Sequence, residues 1–314
     1  CPMLDDNGLC EIHKNLGEDY LGVVCKQFPR YSEYYGTIKE SGIGLACEEA
    51  ARIILSENRP FSMETAACDE EYEPSSEYDS SFALQILAKE SLSIYEKLIV
   101  ILDMGSKIQQ CINTDEYDNI KSVVNDYLKE GIAHTLDETR NLSDSGQFED
   151  ISLQQGIRQI LYPYEEMEVL NPEWEVILKD IIDSLFEQMS DEEYNILNEE
   201  FGTYMVSRAY EYRQLLEYLV FRYFAKSIYD YDFLGKCQML VTNFFVIRQM
   251  DIIRWLDNHR EYSFKDRMDV VHIFSRQVEY SEDNIENLYE DFIFDDIFKT
   301  DSLIAILWID SENI

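Results

Sequence analysis

The chain has 314 residues, and a hydrophobic content of 46% gives it the apolar surface for a folded core. Its formal net charge is −37, from 63 acids against 26 bases, a field that repels a phosphate backbone and so excludes nucleic acid as a partner. Only 12 Gly and six Pro favour long helices over a many-turned β architecture, and no apolar run reaches the roughly 18 residues of a membrane span.

Residues 1–68 read as a small, irregular, cysteine-containing module. Asp6-Asn7-Gly8 is a turn signal, and Gly36, Gly42 and Gly44 add breaks. CEEAARIIL, from Cys47, predicts a short helix with Ala50, Ala51, Ile54 and Leu55 inward. The acidic, Ser-rich stretch 69–81 reads as a linker, and 82–314 as an α-helical domain. Within it, Phe82 to Leu102 predicts one long amphipathic helix and Glu116 to Ile132 a second. Asn171-Pro172 is an N-cap with Pro at N1, launching Glu173 to Gln188, and Ser190 with Glu193 fits a capping box. Tyr204 to Ile228, Phe233 to Leu256 and Phe264 to Tyr280 complete the helices, with no alternating strand pattern between them. The fold class is mostly α: a small irregular module followed by a multi-helix domain.

Charge is uneven along the chain. Asp137 to Glu200 holds 18 acids against 3 bases, whereas Phe201 to Arg260 holds 6 against 8. The acidic stretch is either a solvated helical surface or a docking face for a Lys-rich protein. With no secretory signal visible, the expected location is cytoplasmic unless the start of the chain has been removed.

The first four cysteines are spaced Cys1-x8-Cys10-x14-Cys25-x21-Cys47, with no C-x-x-C pair. Structural disulfides do not suit a cytoplasmic protein. Thiolates gathered on loops suit iron–sulfur or zinc ligation, and four isolated buried thiols are the alternative. Cys111 and Cys237 sit in helical patterns and read as core. His13 is either a ligand in the module or a surface residue; His134 and His259 sit near predicted helix ends without a motif.

CPMLDDNGLCEIHKNLGEDYLGVVCKQFPR resembles the flagellin lysine-N-methylase family, whose segment runs C-P-x-L-x-x-x-G-L-C-x-I, then L-G-E, then C-x-x-[YF]-P-R. ESGIGLACEEAARIIL resembles the family's Cys-Pro-Glu-Ala-Ala-Arg stretch, with Glu48 in place of Pro. LLEYLVFRYF, from Leu215, and FSRQVEYSEDNIENLY, from Phe274, are similar to its helical half, with Tyr280 where the family has His. The N-terminal block is shared with a wider class of cysteine-cluster proteins, so the two C-terminal segments carry the specificity. The resemblance implies methyl transfer from S-adenosylmethionine to the ε-amine of flagellin lysines, by an enzyme with an iron–sulfur cluster, of the 4Fe-4S type. It also implies further cysteines upstream. Cys1 then falls inside the cluster-binding module of a truncated product, which is expected to hold metal poorly and to have little activity. Cys1, Cys10, Cys25 and Cys47 are its expected metal ligands, converging in space.

Methyl transfer needs a neutral amine held in line with the donor, so a lysine must lose a proton to a Tyr, a carboxylate or water. A cationic donor and substrate both favour a negative site. Gly42-Ile43-Gly44 reads as a plain turn, so no dinucleotide-type donor domain is supported. His272, Arg276, Glu279 and Tyr280 share a helix face, and Arg276, Glu279 and Tyr280 are the candidate catalytic residues, expected to point inward. The simpler reading of Arg276 and Glu279 is an ion pair between helices. Arg222 lies among Tyr218, Phe221, Tyr223 and Phe224; Arg222, Tyr218 and Tyr223 are the candidate cofactor-binding residues, able to hold adenine or a methylated ammonium. Ordinary core packing is the simpler reading there. The alternative function is a non-catalytic helical protein with a structural metal module, docking basic proteins through its acidic face.

Overall fold

A computed structural model describes residues 2–35, 38–56, 58–59, 61–64, 81–144 and 151–312. The N-terminal module holds α1 (Glu11–Leu16), α2 (Val23–Gln27), strands β1 (Arg30–Tyr35) and β2 (Ile38–Ile43), and α3 (Glu48–Leu55). The strands pair antiparallel, from Arg30 opposite Ile43 to Tyr35 opposite Ile38. This hairpin departs from the expectation of no strands. RYSEYY contains no aliphatic residue, so its period-two pattern rests on Tyr31, Glu33 and Tyr35 facing the body of the protein, a signal that aliphatic patterning misses. Gly42 accordingly belongs to β2 rather than to a turn. The expected linker falls on residues outside the described ones except at Ser81, which opens a helix.

From there the chain is helical: α4 (Ser81–Leu87), α5 (Ile94–Asn113), α6 (Tyr117–Asp126), α7 (Ile132–Asp144), α8 (Leu153–Glu165), α9 (Pro172–Ile181) and α10 (Asp191–Met205). Then come α11 (Ala209–Tyr223), α12 (Ser227–Asp230), α13 (Phe233–Asp257), α14 (Phe264–Val278), α15 (Glu282–Phe294) and α16 (Thr300–Ser311). The single long helix expected from Phe82 is divided into α4 and α5. α4 ends at Leu87, and Ser93, in extended backbone, starts α5 with a reciprocal capping box to Glu96. The Asn171 cap and the Ser190–Glu193 box form as the sequence predicts. The helices expected to run from Glu116 and from Glu173 each pass into a π-helical turn, at Tyr127–Gly131 and Ile182–Glu187.

α13 is the axis of the molecule. It is buried on nearly all sides by α5, α8, α9, α11, α14 and α15, its apolar residues being distributed around the whole helix. Its buried polar residues are matched from neighbouring helices. Asp251 accepts hydrogen bonds from the hydroxyls of Tyr212 (2.6 Å) and Tyr262 and from Arg267 Nη1 (2.6 Å). Arg267 also donates to Glu211, at 3.1 Å. α3 packs on α11 and α14, and its Ala51 and Leu55 belong to the same continuous apolar core as the helical domain. Cys111 and Cys237 are buried, as expected. His13 is exposed. Among the described residues, no helix is long and apolar enough to cross a membrane.

Candidate active site

α11 has two faces. Leu215, Leu216, Leu219 and Val220 enter the core. Gln214, Glu217, Tyr218, Phe221 and Arg222, spaced i, i+3, i+4, i+7 and i+8, form a second stripe, turned toward the N-terminal module. The module places β1, β2 and α3 against this stripe, and α14 closes the other side.

Where α11 meets the end of α14, two tyrosines share one carboxylate oxygen. Tyr218 donates its hydroxyl proton to Glu279 Oε2 at 2.8 Å, and Tyr223 donates to the same oxygen at 2.9 Å. Tyr218 Oη also accepts the backbone N–H of Leu45, at 3.4 Å, which ties the module to the pair. Glu279 Oε1 is buried and makes no hydrogen bond of ordinary geometry; the unpaired Ser275 hydroxyl on the preceding turn is its polar neighbour. Burial raises the Glu279 carboxyl above its ordinary range, and the hydroxyls and the distant Arg222 offset only part of this. Burial, with the Glu279 charge nearby, raises both tyrosines well above theirs, so they stay protonated donors.

Arg222 does not touch the carboxylate. It pairs with Glu33 of β1 at 3.1 Å and lies 3.9 Å from the centre of the Tyr31 ring. Lys226 also reaches Glu33, at 3.4 Å. Of the sequence candidates, Tyr218, Tyr223 and Glu279 are therefore brought together directly, while Arg222 is engaged by the hairpin's own ring and carboxylate. Arg276 departs from expectation: it points outward and is exposed. Glu279 is the C-cap of α14 and sits beside buried Ser275, about 40° away around the helix, whereas Arg276 lies about 60° from Glu279 on the solvent side. Tyr280 is 53% exposed and meets the edge of Phe28, with ring centres 6.4 Å apart. The inward-pointing residue of the predicted trio is Glu279 alone.

Beside Tyr218, between the module and the stripe on α11, lies a cavity of about 300 Å³. Tyr31, Phe61, Phe221 and Ile54 supply apolar walls, and Glu217, Gln214 and Arg59 polar ones. Glu217 is paired with Arg213 at 3.1 Å, and burial raises its carboxyl above the ordinary range. Tyr218 is common to the cavity and to the Glu279 pair. Tyr31, Glu217 and Gly42 escape the sequence reading. The i, i+3, i+4, i+7 stripe of mixed polar and aromatic residues on α11 was the signal available for Glu217.

Cys1 lies outside the described residues. Cys10 is half-buried and caps α1, its Sγ accepting the His13 N–H; Cys25 is exposed; Cys47 is half-buried at the N-cap of α3. Among the described residues, no three His, Cys, Asp or Glu side chains gather to hold a metal ion. Cys10, Cys25 and Cys47 therefore do not form such a group among the described residues, and Cys1, the fourth expected ligand, lies outside them.

The site thus combines a mostly helical body, a carboxylate shared by two tyrosine hydroxyls, and an adjoining aromatic cavity. Residues 80–306 match the family model described as FliB lysine N-methylase C-terminal domain, and the chain belongs to that family. It is 37% identical over 57 residues to the flagellar biosynthetic protein FliU of Salmonella muenchen, covering 18% of this chain and 34% of that protein. It is similarly 37% identical over 57 residues to the lysine-N-methylase of Salmonella typhimurium strain LT2 and to that of Salmonella choleraesuis strain SC-B67, covering 18% of this chain and 14% of each. The matched segment thus spans about a third of the first of these relatives and about a seventh of the other two. No solved structure matches.

Proposed function

We propose that the protein is a lysine N-methyltransferase that uses S-adenosylmethionine as methyl donor and flagellin as substrate. Family membership and the names of the relatives support the class of reaction and a flagellar substrate. The observation that carries the reading is the shielded carboxylate of the half-buried Glu279, joined through Tyr218 to the aromatic cavity.

The donor supplies an electrophilic methyl on a sulfonium; the amine nitrogen takes the methyl as the carbon–sulfur bond breaks, its electron pair going to sulfur. The protein's part is to deliver the amine neutral. An ammonium of pKa about 10.4 loses its proton poorly to water near neutrality. Tyr218 accepts that proton on Oη as its own passes to Glu279 Oε2, a transfer already aligned at 2.8 Å. Burial makes Glu279 a better proton acceptor than a solvated carboxylate, and Tyr223 holds its orientation. The net charge of −37 draws a cationic segment toward the protein. The aromatic walls, with Glu217 beside them, fit an adenosyl sulfonium. The described cysteines do not fit an iron–sulfur cluster, and no step is assigned to one.

The test is methyl incorporation into purified flagellin, read by mass spectrometry with and without the donor. Donor-dependent methylation of lysine by the wild-type chain, lost in Glu279→Gln, is the expected result. No methyl transfer by the wild-type chain or by a longer relative carrying the same site would sink the reading.

A further inference from the structure

The cavity beside Tyr218 has a built asymmetry. Its apolar end is a wall of rings. Phe61 and Phe221 lie 5.7 Å apart, and Tyr31 stands beside them with its ring under the Arg222 guanidinium. Tyr31 holds that position because its partner across the hairpin is Gly42. A Cβ at Gly42 would stand 2.5 Å from Tyr31 Oη and 2.6 Å from Cζ, so only glycine lets the ring fold back over β2. Both residues line the cavity, and the ring is clamped between the strand beneath it and the cation above.

The polar end sets one cation, Arg59, against one carboxylate, Glu217, in a chain that is strongly acidic as a whole. Arg59 lines the cavity and is exposed, with one long hydrogen bond, 3.4 Å from Nη2 to the Ile53 carbonyl. Arg213 and the buried Lys97 flank Glu217. Arg59 is thus a cation on the cavity wall whose guanidinium is not taken up by Glu217, since Arg213 and Lys97 already offset that carboxylate. Such an end accepts a further carboxylate, while Glu217 and Gln214 offer acceptors to an amine or to hydroxyls. A ring at one end and an amino-acid group at the other describe a nucleoside-linked amino acid.

We propose that this cavity is the methyl-donor site, with the flat base of the donor against Tyr31, Phe61 and Phe221, and its carboxylate on Arg59. The inference rests on the methyltransferase reading and adds where the donor sits. It also makes the β1–β2 hairpin part of the site: Tyr31 is a wall, and Gly42 a positioning residue that acts through Tyr31.

The experiment is calorimetric binding to the full chain of two donor analogues, S-adenosylhomocysteine, which carries the amino-acid group, and methylthioadenosine, which does not. Arg59→Gln, an exposed change, should weaken S-adenosylhomocysteine about tenfold and leave methylthioadenosine unchanged, because one charge-assisted contact is lost. Phe221→Ala and Gly42→Val should weaken both, with the helical circular-dichroism spectrum retained. Tyr31→Phe should keep most of the affinity, since the ring is what contributes. No binding by the wild-type chain, or binding indifferent to Arg59, Phe221 and Gly42 alike, overturns the placement; methylation of flagellin that persists in that case leaves the methyltransferase reading standing. Binding that follows the expected pattern without methyl transfer supports the placement and removes the reading.

Discussion

Among the described residues, two carboxylates accept hydrogen bonds from a pair of tyrosine hydroxyls, and they differ in one neighbour. Asp251, at the centre of the bundle, has Tyr212, Tyr262 and the Arg267 guanidinium at 2.6 Å. Glu279, at the margin of the bundle under the hairpin, has Tyr218 and Tyr223 but no cation in contact, because Arg222 is paired with Glu33 instead. Burial raises both carboxyls, but at Asp251 a contacting guanidinium pairs the charge, and the network holds α11, α13 and α14 in register. A buried carboxylate without a contacting cation is left with an unmet demand for a proton. The same motif thus serves as a brace in one place and as a proton acceptor in the other.

The comparison breaks most readily at the brace. Arg267→Met leaves Asp251 buried and unpaired and should destabilise the fold by about 3–5 kcal/mol, measured by urea denaturation. If the loss were under about 1 kcal/mol, the network would not be the brace described.

At the second carboxylate the signs reverse. Glu279→Gln should lower methyl transfer at least a hundredfold, within the range of general-base contributions, while stability is unchanged or raised. The pH dependence follows from the raised carboxyl. Ionised Glu279 costs the folded state stability above its folded pKa, and this cost is relieved as pH falls through that pKa toward the ordinary carboxyl range. The stability advantage of the Gln variant over wild type should therefore be largest at neutral pH and shrink on acidification. Activity of the wild type should fall over the same window. A Gln variant that is less stable than wild type at neutral pH would make Glu279 a second brace.

The two tyrosines sharpen the comparison further. Tyr218→Phe removes the hydroxyl between cavity and carboxylate and should lower activity about a hundredfold, the lower range of proton-transfer catalysis. Tyr223→Phe removes a bond that orients the carboxylate, worth about 1 kcal/mol, and should cost roughly fivefold. Equal losses in the two variants would remove the relay. The smallest effect expected is at Ser93→Ala, where loss of the α5 cap should cost about 1 kcal/mol of stability with no change in activity.

How much was legible follows from which signals are local. Caps and apolar runs depend on a few neighbouring residues, so Asn171, Ser190 and α13 could be read directly. Ser93 carried the same capping signal as Ser190, but an apolar pattern continuing on both sides concealed it. Helical spacing grouped Arg276 with Glu279, yet the boundary between buried and exposed runs between them, set by the packing of α3 on α14, which sequence spacing does not contain. Tyr218, Tyr223 and Glu279 were recognisable as candidates, but 56 residues of chain separate Tyr223 from Glu279, and only the fold joins them. Tyr31 and Gly42 were invisible as a pair because their meaning lies in the strand register.

The continuous core that joins Ala51 and Leu55 to the helical body has a consequence for how such a protein can be rearranged over evolutionary time. The family match begins at residue 80, whereas the hairpin wall of the cavity and the helix seated on α11 and α14 lie before it. A recombination event that exchanged everything upstream of residue 80 would deliver α11 with its cavity face bare and Tyr218 without the Leu45 N–H. Heritable exchange between relatives is therefore constrained to move the hairpin and α3 together with the bundle, or to supply an incoming segment that restores a ring opposite Arg222 and a small residue beneath it.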